Sequence, residues 1–359
     1  MNNSIKQKTN VESLKEKIVN LLLAVLMAII ISVIFILALG ENPLDVFAQI
    51  GRGAFRSTSS VLEILAKATP IITIGLGICV ASSAGMTNLG GDGQFYMGAI
   101  SSVVVGLYVN APPVVIWLIA ILVSILAGGV WGGIAGLLRS TLGTSEVIIT
   151  IMMNYIALYL VGFLISNPLQ APGGIPQTKA LDSYLHFPKL MTGSRAHWGI
   201  LLVAVLAIAV SFVMTKTIFG FKLSTIGRSP KAAKYGGIQT NKLSTISLFI
   251  AGAFAGLAGM IEVYGTYYRV LEGITSSFGF TAVMIAILAN NKAFGVIAGS
   301  LLLSTLTVGV NAMQIEVDVP TSIVTVIQSV VVFSFLVMPA IRKNFTGSRL
   351  ARREAKLTE

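Results

Sequence analysis

Apolar runs near or beyond the roughly 20 residues that carry a helix across a bilayer recur along this whole chain. They begin at Ile18–Leu39 and return at Val61–Ala84, Pro113–Leu138, Glu146–Ile165, Trp198–Thr215, Leu243–Val263, Ala293–Ala312 and Thr321–Pro339. Two further stretches, Phe95–Val109 and Ser277–Ala289, are equally apolar but short for a full span. Hydrocarbon offers no partner to a peptide group, so runs of this length must satisfy their backbone internally, as helices do. Composition agrees: 55% of the 359 residues are hydrophobic and 11% charged, against about a quarter charged in a soluble domain. The expected fold is an all-α polytopic membrane protein of about ten transmembrane helices with broken or half-spanning segments. Residues 18–339 would form the transmembrane domain, flanked by an N-terminal segment 1–17 and a basic tail 340–359. Ile18–Leu39 is long for the core of a signal peptide and reads as a retained first span.

The net charge of +11 is explained by where the charge sits. Met1–Lys17, Arg139, Lys216–Lys242, Lys292 and Arg342–Glu359 carry 18 of the 25 Lys and Arg. Basic loops gather on the cytoplasmic side, so both termini are expected there. Nucleic-acid binding would need a basic, aromatic-bearing face on a folded domain, and the polar gaps leave room for none. The tail RLARREAK suits anionic lipid headgroups instead. A single cysteine, Cys79 in an apolar run, rules out a disulfide frame and a cysteine metal site. His186 and His197 fall in the external loop 166–197, where surface positions are expected. Glu63 and Lys67 stand four apart and suggest a pair near the outer interface. Glu262, near the outer end of its span, is expected to meet headgroups.

Lys216–Lys242 is the basic interruption in an otherwise hydrocarbon-compatible chain. Within it, Ser229-Pro230 and Gly236-Gly237 have the grammar of a short helix. A serine hydroxyl can accept a first-turn N–H, proline at the first position has no N–H to orphan, and glycine ends a helix at positive φ. Helix Pro230–Tyr235 would present Lys231, Ala232, Ala233 and Tyr235, with the alanines keeping its face flat. So short a helix is marginal alone and needs tertiary contacts. It is either a docking element or an ordinary positive-inside loop.

Asn88-Leu89-Gly90-Gly91-Asp92-Gly93-Gln94 cannot face acyl chains and must be buried in protein or line a watery cavity, unless it is a plain cytoplasmic turn. Asn88, Gly90, Asp92, Gly93 and Gln94 are therefore candidate pathway residues. Gly85–Gln94 and Ser277–Lys292 are broken segments at corresponding positions of the two halves, a pattern that marks transport routes, though no sequence repeat accompanies it. Asn154 lies at mid-span depth, as interhelical glue or as a solute contact. Gly128/Gly132/Gly136 and Ala251/Ala255/Gly259 with Gly252/Gly256 are small-residue ridges for close helix packing. The sequence has no GxxxxGK[ST] phosphate loop, no Ser/His/Asp arrangement and no metal-ligand cluster. Neither an enzyme nor an ATP-binding chain of that type is expected. The scarcity of deep carboxylates argues against a proton-coupled carrier, which remains the alternative class.

Asn88–Gln94 resembles the N-[IL]-G-x-[DE]-G-Q signature of ATP-binding-cassette importer permeases of the branched-chain amino acid/ribose-type family. Gly227–Ile238 (GRSPKAAKYGGI) with Ala251–Glu262 is similar to that family's coupling segment and following span. Thr150–Ile156 and Phe278–Gly295 resemble two further family segments, so the likeness covers most of 68–295 in order. Ser229, Asp92 and Ala293 depart from the family's usual Asn, Glu and Pro. The resemblance implies a transport subunit of the cell membrane that binds no cofactor itself. Its partners would be cassette ATPases that bind ATP, a second permease chain (identical or homologous) and an external substrate-binding lipoprotein. It also implies coupling through Gly227, Ser229, Pro230, Lys231, Ala232, Ala233, Tyr235, Gly236 and Gly237. The pathway would include Asn88, Gly90, Asp92, Gly93, Gln94, Asn154 and Phe280. The match is closest to the nucleoside-importing branch, with simple sugars as the other solute class. Phe95, Tyr155 or Phe280 could stack on bases, or simply pack.

Overall fold

A chain this apolar buries helices against helices. The computed structural model describes residues 42–317 continuously, together with 26–38 and positions 19, 23, 40, 329, 330, 333, 334 and 337. The described helices are α1 (Leu26–Ala38), α2 (Pro43–Phe55), α3 (Thr58–Ser83), α4 (Gly91–Tyr108), α5 (Pro113–Leu142) and α6 (Glu146–Ser166). They continue with α7 (Gly199–Lys216), α8 (Ile218–Arg228), α9 (Pro230–Tyr235), α10 (Thr240–Glu262), α11 (Phe278–Leu288) and α12 (Ala293–Val317). Among the described residues six helices are long and apolar enough to cross a membrane, or seven if α1 and α2 form one bent span. The expected segments 1–17, Thr321–Pro339 and 340–359 lie outside the described residues, isolated positions aside.

Two compact units divide the chain. One holds α1, α2 and the part of α12 from Leu306 onward. There Ile36, Val46, Ile50, Val310 and Met313 form a small core. The other, Ser57–Thr305, holds every candidate site.

In this larger unit α10 is the central helix, packed on α3, α4 and α5. The expected glycine ridges are the reason it fits. On α5, Ile116, Ala120, Ser124, Gly128, Gly132 and Gly136 recur every fourth residue and are all buried. A Cβ on Gly128 would lie 2.7 Å from the Gly256 Cα, and one on Gly136 would lie 2.8 Å from the Thr245 Cα. Gly77 of α3 meets the other side of α10, where a Cβ would stand 3.0 Å from the Ala251 Cα. Opposite the ridge, α5 exposes Leu118, Leu122, Leu126, Val130, Ile134 and Leu137, an aliphatic face suited to lipid.

The ends of this bundle differ. At one, α3, α5 and α8 terminate and α6 and α10 begin; Arg139 Nε bonds Glu146 Oε2 at 2.9 Å across the α5–α6 turn. At the other, residues 167–198 form an ordered cap. Trp117 Nε1 donates to the Leu185 carbonyl at 2.8 Å, and Phe187 packs against Trp117, His197 and Tyr264. Backbone bonds from Thr178 to Val270 and from Leu181 to Tyr268 tie the cap to the stretch after α10.

Three expectations about this end are corrected. His197 is buried, its Nδ1 accepting from the Gly199 N–H at 3.1 Å, because Gly265 leaves space for the imidazole. His186 is stacked on Tyr268 with ring centroids 3.6 Å apart. Glu63 pairs with Arg195 at 3.4 Å rather than with Lys67, because the cap delivers a cation to the start of α3.

Gly128→Ala should lower the thermal stability of the purified protein in detergent. It should cost at least the about 1–3 kcal/mol of ordinary overpacking, since the obstacle is backbone. Gly51→Ala, where a Cβ meets nothing within 4 Å, is the matched control and should be neutral or stabilising. Burial, with Lys189 nearby, pushes the His197 pKa down from 6.5 to about 4. The folded state therefore holds the ring neutral while the unfolded chain protonates it. Its contribution is intact above pH 6.5 and should fall by up to about 3 kcal/mol as pH drops toward 4. Melting curves across that window should be flatter for His197→Gln than for the native chain.

Candidate functional site

After α3 the chain does not leave the bundle. Gly85 takes φ +73° and closes a Schellman-type end, with Met86 N–H donating to the Ala81 carbonyl at 3.0 Å. Residues 86–90 then run without helix or strand, with Met86, Asn88 and Gly90 buried, before α4 begins. Their depth is set by α6: Asn154, eight residues into that helix and so about 12 Å along it, bonds this segment. The Asn154 Nδ2 donates to the Leu89 carbonyl at 2.7 Å, and its Oδ1 accepts from the Gly93 N–H at 2.8 Å. One amide thus satisfies an acceptor and a donor of the break. Thr150 Oγ1 accepts from the Leu89 N–H at 3.3 Å.

Asn88 and Gln94 are both buried and face one another. Asn88 Nδ2 donates to Gln94 Oε1 at 2.8 Å, Gln94 Nε2 donates back to Asn88 Oδ1 at 3.1 Å, and Asn88 Oδ1 also accepts from the Gly90 N–H. A Cβ on Gly93 would lie 2.9 Å from the Asn154 Cα, and one on Gly90 would press on the Asn88 and Gln94 amides at 3.1 Å. Asp92 reaches elsewhere. Its Oδ1 accepts from the Gly279 N–H at 2.9 Å, in the first turn of α11, and the Phe280 N–H and Thr275 hydroxyl also face it. The two broken segments therefore meet, with one carboxylate of the first capping the half-length helix of the second. A Cβ on Gly91 would lie 3.0 Å from the Gly279 Cα. At the far end of α11, Asn290 and Asn291 both take positive φ, which asparagine tolerates. Of the expected pathway side chains, Phe280 is exposed, while Asn88, Asp92, Gln94 and Asn154 are engaged with backbone or with each other.

The docking candidate has the expected bounds, Pro230–Tyr235. Ser229 Oγ accepts from the Ala232 N–H at 3.3 Å and Pro230 opens the helix. Gly237 takes φ +76°, with Ile238 N–H donating to the Ala233 carbonyl and Gly237 N–H to the Lys234 carbonyl. Lys231, Ala232, Lys234, Gly236 and Gly237 are exposed, and Tyr235 is 94% exposed. The expected flat alanine pair is corrected, since Ala233 is fully buried and only Ala232 faces out. The preceding residues are helical too, as α8, capped by Thr217. Gly227 links this element to the break: a Cβ there would lie 3.1 Å from the Gly85 N.

Glu262 is also corrected. It is buried at the C-terminal end of α10, among Lys67, Glu63 and Arg195, with Oε2 lacking a hydrogen-bond partner. A five-residue π turn, Val263–Tyr267, follows it. Sequence reasoning missed Tyr96 and Glu272, which with Tyr159 line a cavity of about 330 Å3 beside α6. Among the described residues no group of three His, Cys, Asp or Glu is placed to hold a metal ion.

Among the described residues, six or seven helices long and apolar enough to cross a bilayer define a multi-pass membrane protein. The family described as branched-chain amino acid transport system / permease component matches residues 60–338, and the chain belongs to that family. It is 32% identical to the guanosine ABC transporter permease protein NupP of Bacillus subtilis, over 93% of this chain and 97% of that one. It is 30% identical to the nucleoside ABC transporter permease protein NupB of Lactococcus lactis, over 87% and 88% of the two chains. The glucose ABC transporter permease protein TsgB13 of Haloferax volcanii is 28% identical, over 92% and 90%. No solved structure matches the chain.

Asn154→Leu should orphan the Gly93 N–H and the Leu89 carbonyl in an apolar interior, at about 1–3 kcal/mol for each group. The melting temperature in detergent should fall by several degrees. Asn154→Gln, which keeps the amide but misplaces it, should fall between Leu and the native residue.

Proposed function

We propose that this chain is a permease subunit of an ATP-driven importer of nucleosides in the cell membrane. The single observation carrying the solute class is the near full-length match to a guanosine permease. The likeness to a glucose permease supports simple sugars as the second reading. In this proposal both termini are cytoplasmic, ten helices cross or enter the bilayer, and the α9 end faces the cytoplasm. The domain plan is 1–17, 18–339 and 340–359, and the tail lies against anionic headgroups.

The chain makes and breaks no covalent bond. Cassette ATPases bind and hydrolyse ATP, and α9 docks in them through Lys231, Ala232, Tyr235 and the flanking Gly227, Ser229, Pro230, Gly236 and Gly237, with Ala233 seating the helix on its own bundle. A second permease chain and an external binding lipoprotein complete the assembly. Cassette closure pushes α9. Gly227, two residues before its cap, moves against Gly85, and the displacement enters the break at 86–93. The solute route passes beside this break and Phe280, with Asn88, Gly90, Asp92, Gly93, Gln94 and Asn154 as its structural wall. ATP needs only to favour one arrangement of this wall over another, since a ligand shifts an equilibrium by its difference in affinity for two states.

Ala232→Arg puts a long cation on the exposed face of α9 without disturbing buried Ala233. In cells lacking the native gene, it should cut guanosine uptake at least tenfold while expression, assembly in the membrane and melting temperature stay unchanged. Native-level uptake by this variant would overturn docking through α9. Labelled glucose entering in place of guanosine through the native chain would move the solute to the sugar reading. Uptake that survives ATP depletion but collapses with an uncoupler would move the chain to the secondary carriers.

A further inference from the structure

The outward faces of three spanning helices differ in kind. The large exposed side chains of α5 are aliphatic, and α7 exposes Leu201, Val205 and Ile208 with one ring, Phe212, and no tyrosine. On α6 the exposed face carries Tyr155, Tyr159 and Phe163, with Tyr155 near the middle of the helix and Tyr159 73% exposed. Tyrosine on a lipid-facing helix belongs at the headgroup level. At mid-span, hydrocarbon would strip its hydroxyl of every hydrogen bond, a cost of several kcal/mol. The two tyrosines therefore want a polar partner that hydrocarbon does not supply, although Ile148, Met152, Ile156 and Leu160 are exposed on the same helix.

A cavity of about 330 Å3 opens beside it, at the lower end of the roughly 300–1,000 Å3 usual for small-molecule sites. Leu158, Tyr159 and Ser166 of α6 form one wall; Tyr96, Pro176 and Glu272 form the rest. Tyr96 is buried, and its hydroxyl accepts from the Gly273 N–H at 3.1 Å, which fixes the neighbouring Glu272 at the rim. Glu272 is exposed and has no ion-pair partner among the described residues, unlike Glu63 and Glu146, which have Arg195 and Arg139. The site thus combines apolar walls, aromatic rings and one uncompensated carboxylate.

We propose that this cavity is a solute-binding station, in which the two oxygens of Glu272 accept an adjacent pair of N–H or O–H donors from an uncharged nucleoside while the Tyr159 ring lies along its flat face. The station rests on the nucleoside reading above. A nucleoside offers such a donor pair twice: on the amide and amino edge of guanine, and on the ribose 2′,3′-diol. Ring faces suit the tyrosine and apolar walls, because every base has a π-face and stacking tolerates base identity. The carboxylate repels phosphate, so the same site passes over nucleotides. A shallow site with one charged contact also releases its cargo readily, as a conducting route requires.

The test uses the complete importer, this chain with its partner subunits, in proteoliposomes. Glu272→Gln keeps shape and removes charge at an exposed position, so assembly should be unaffected. Initial uptake of guanosine should fall at least tenfold. If the base edge is read, inosine, which keeps the N1–H but lacks the amino group, should lose less uptake than guanosine on Glu272→Gln. If the diol is read, guanosine and inosine should fall together and 2′,3′-dideoxyguanosine should be indifferent to the substitution. The second measurement is a thiol at the mouth, Ser166→Cys; the native Cys79 is buried and contributes little background. A membrane-impermeant maleimide should label it, at least threefold more slowly with guanosine present. Unchanged uptake of all three nucleosides in Glu272→Gln, or labelling indifferent to guanosine, overturns the station while nucleoside transport stands. A native importer that takes up no nucleoside overturns the proposed function and the station with it.

Discussion

Interrupting a helix inside an apolar bundle exposes peptide groups that nothing around them can solvate, and Asn154 is placed to answer that problem. Its side-chain amide supplies one donor and one acceptor, and the break between α3 and α4 takes both, at Leu89 and Gly93. Thr150 Oγ1 accepts from the Leu89 N–H and Asn88 Oδ1 from the Gly90 N–H, while Asp92 serves the other broken segment. Each group left unpaired would cost about 1–3 kcal/mol in such surroundings. Without this set, residues 86–90 would have to leave the bundle and α4 could not start within it. The position of α11 depends on the same accounting, because its first turn finds an acceptor in Asp92, a residue of the other break.

Around that centre the packing is close. Glycines on α5, α4 and α3 let the backbone of α10 approach three neighbours, so these helices pack as one slab. The elements most open to movement lie at its margins. Helix α9 is two turns or less, held by its own caps and by Ala233, and presents an almost fully exposed tyrosine. Between slab and margin stands the approach of Gly227 to Gly85, where neither residue carries a side chain to cushion a displacement. A push on α9 therefore meets the backbone of the break directly.

How much of this the sequence displayed follows from the range of the interactions. Helix α9 was legible to the residue, because serine, proline and glycine caps act over four or five positions. The break was legible because four glycines and polar groups in an apolar context admit few conformations. The glycine ridges showed that helices would touch, since spacing alone reveals a ridge. Partners brought from far along the chain were not legible. Arg195 reaches Glu63 across 132 residues, and Gly265 makes the space that buries His197. Which alanine of α9 faces inward depends on the docking of α8 and α10, which no local pattern specifies. Glu262 looked peripheral by its place in its span, and the cap over that end of the bundle makes it interior.

The same accounting separates polar residues that build a route from those that meet its cargo. A transport site must bind weakly enough to let go, so its contacts cannot be groups already spent on holding the fold. Asn88, Gln94, Asp92 and Asn154 are spent in this sense: moving any of them to a solute would orphan a backbone or amide partner. Glu272 and the tyrosine face of α6 are not. The former lies outside the hydrogen-bond network of the break, and the latter offers aromatic surface on a helix whose opposite side grips that break through Asn154 and Thr150. Helix α6 thus has a structural face and an available one. A change in the break, transmitted through Asn154, would move the available face as a unit.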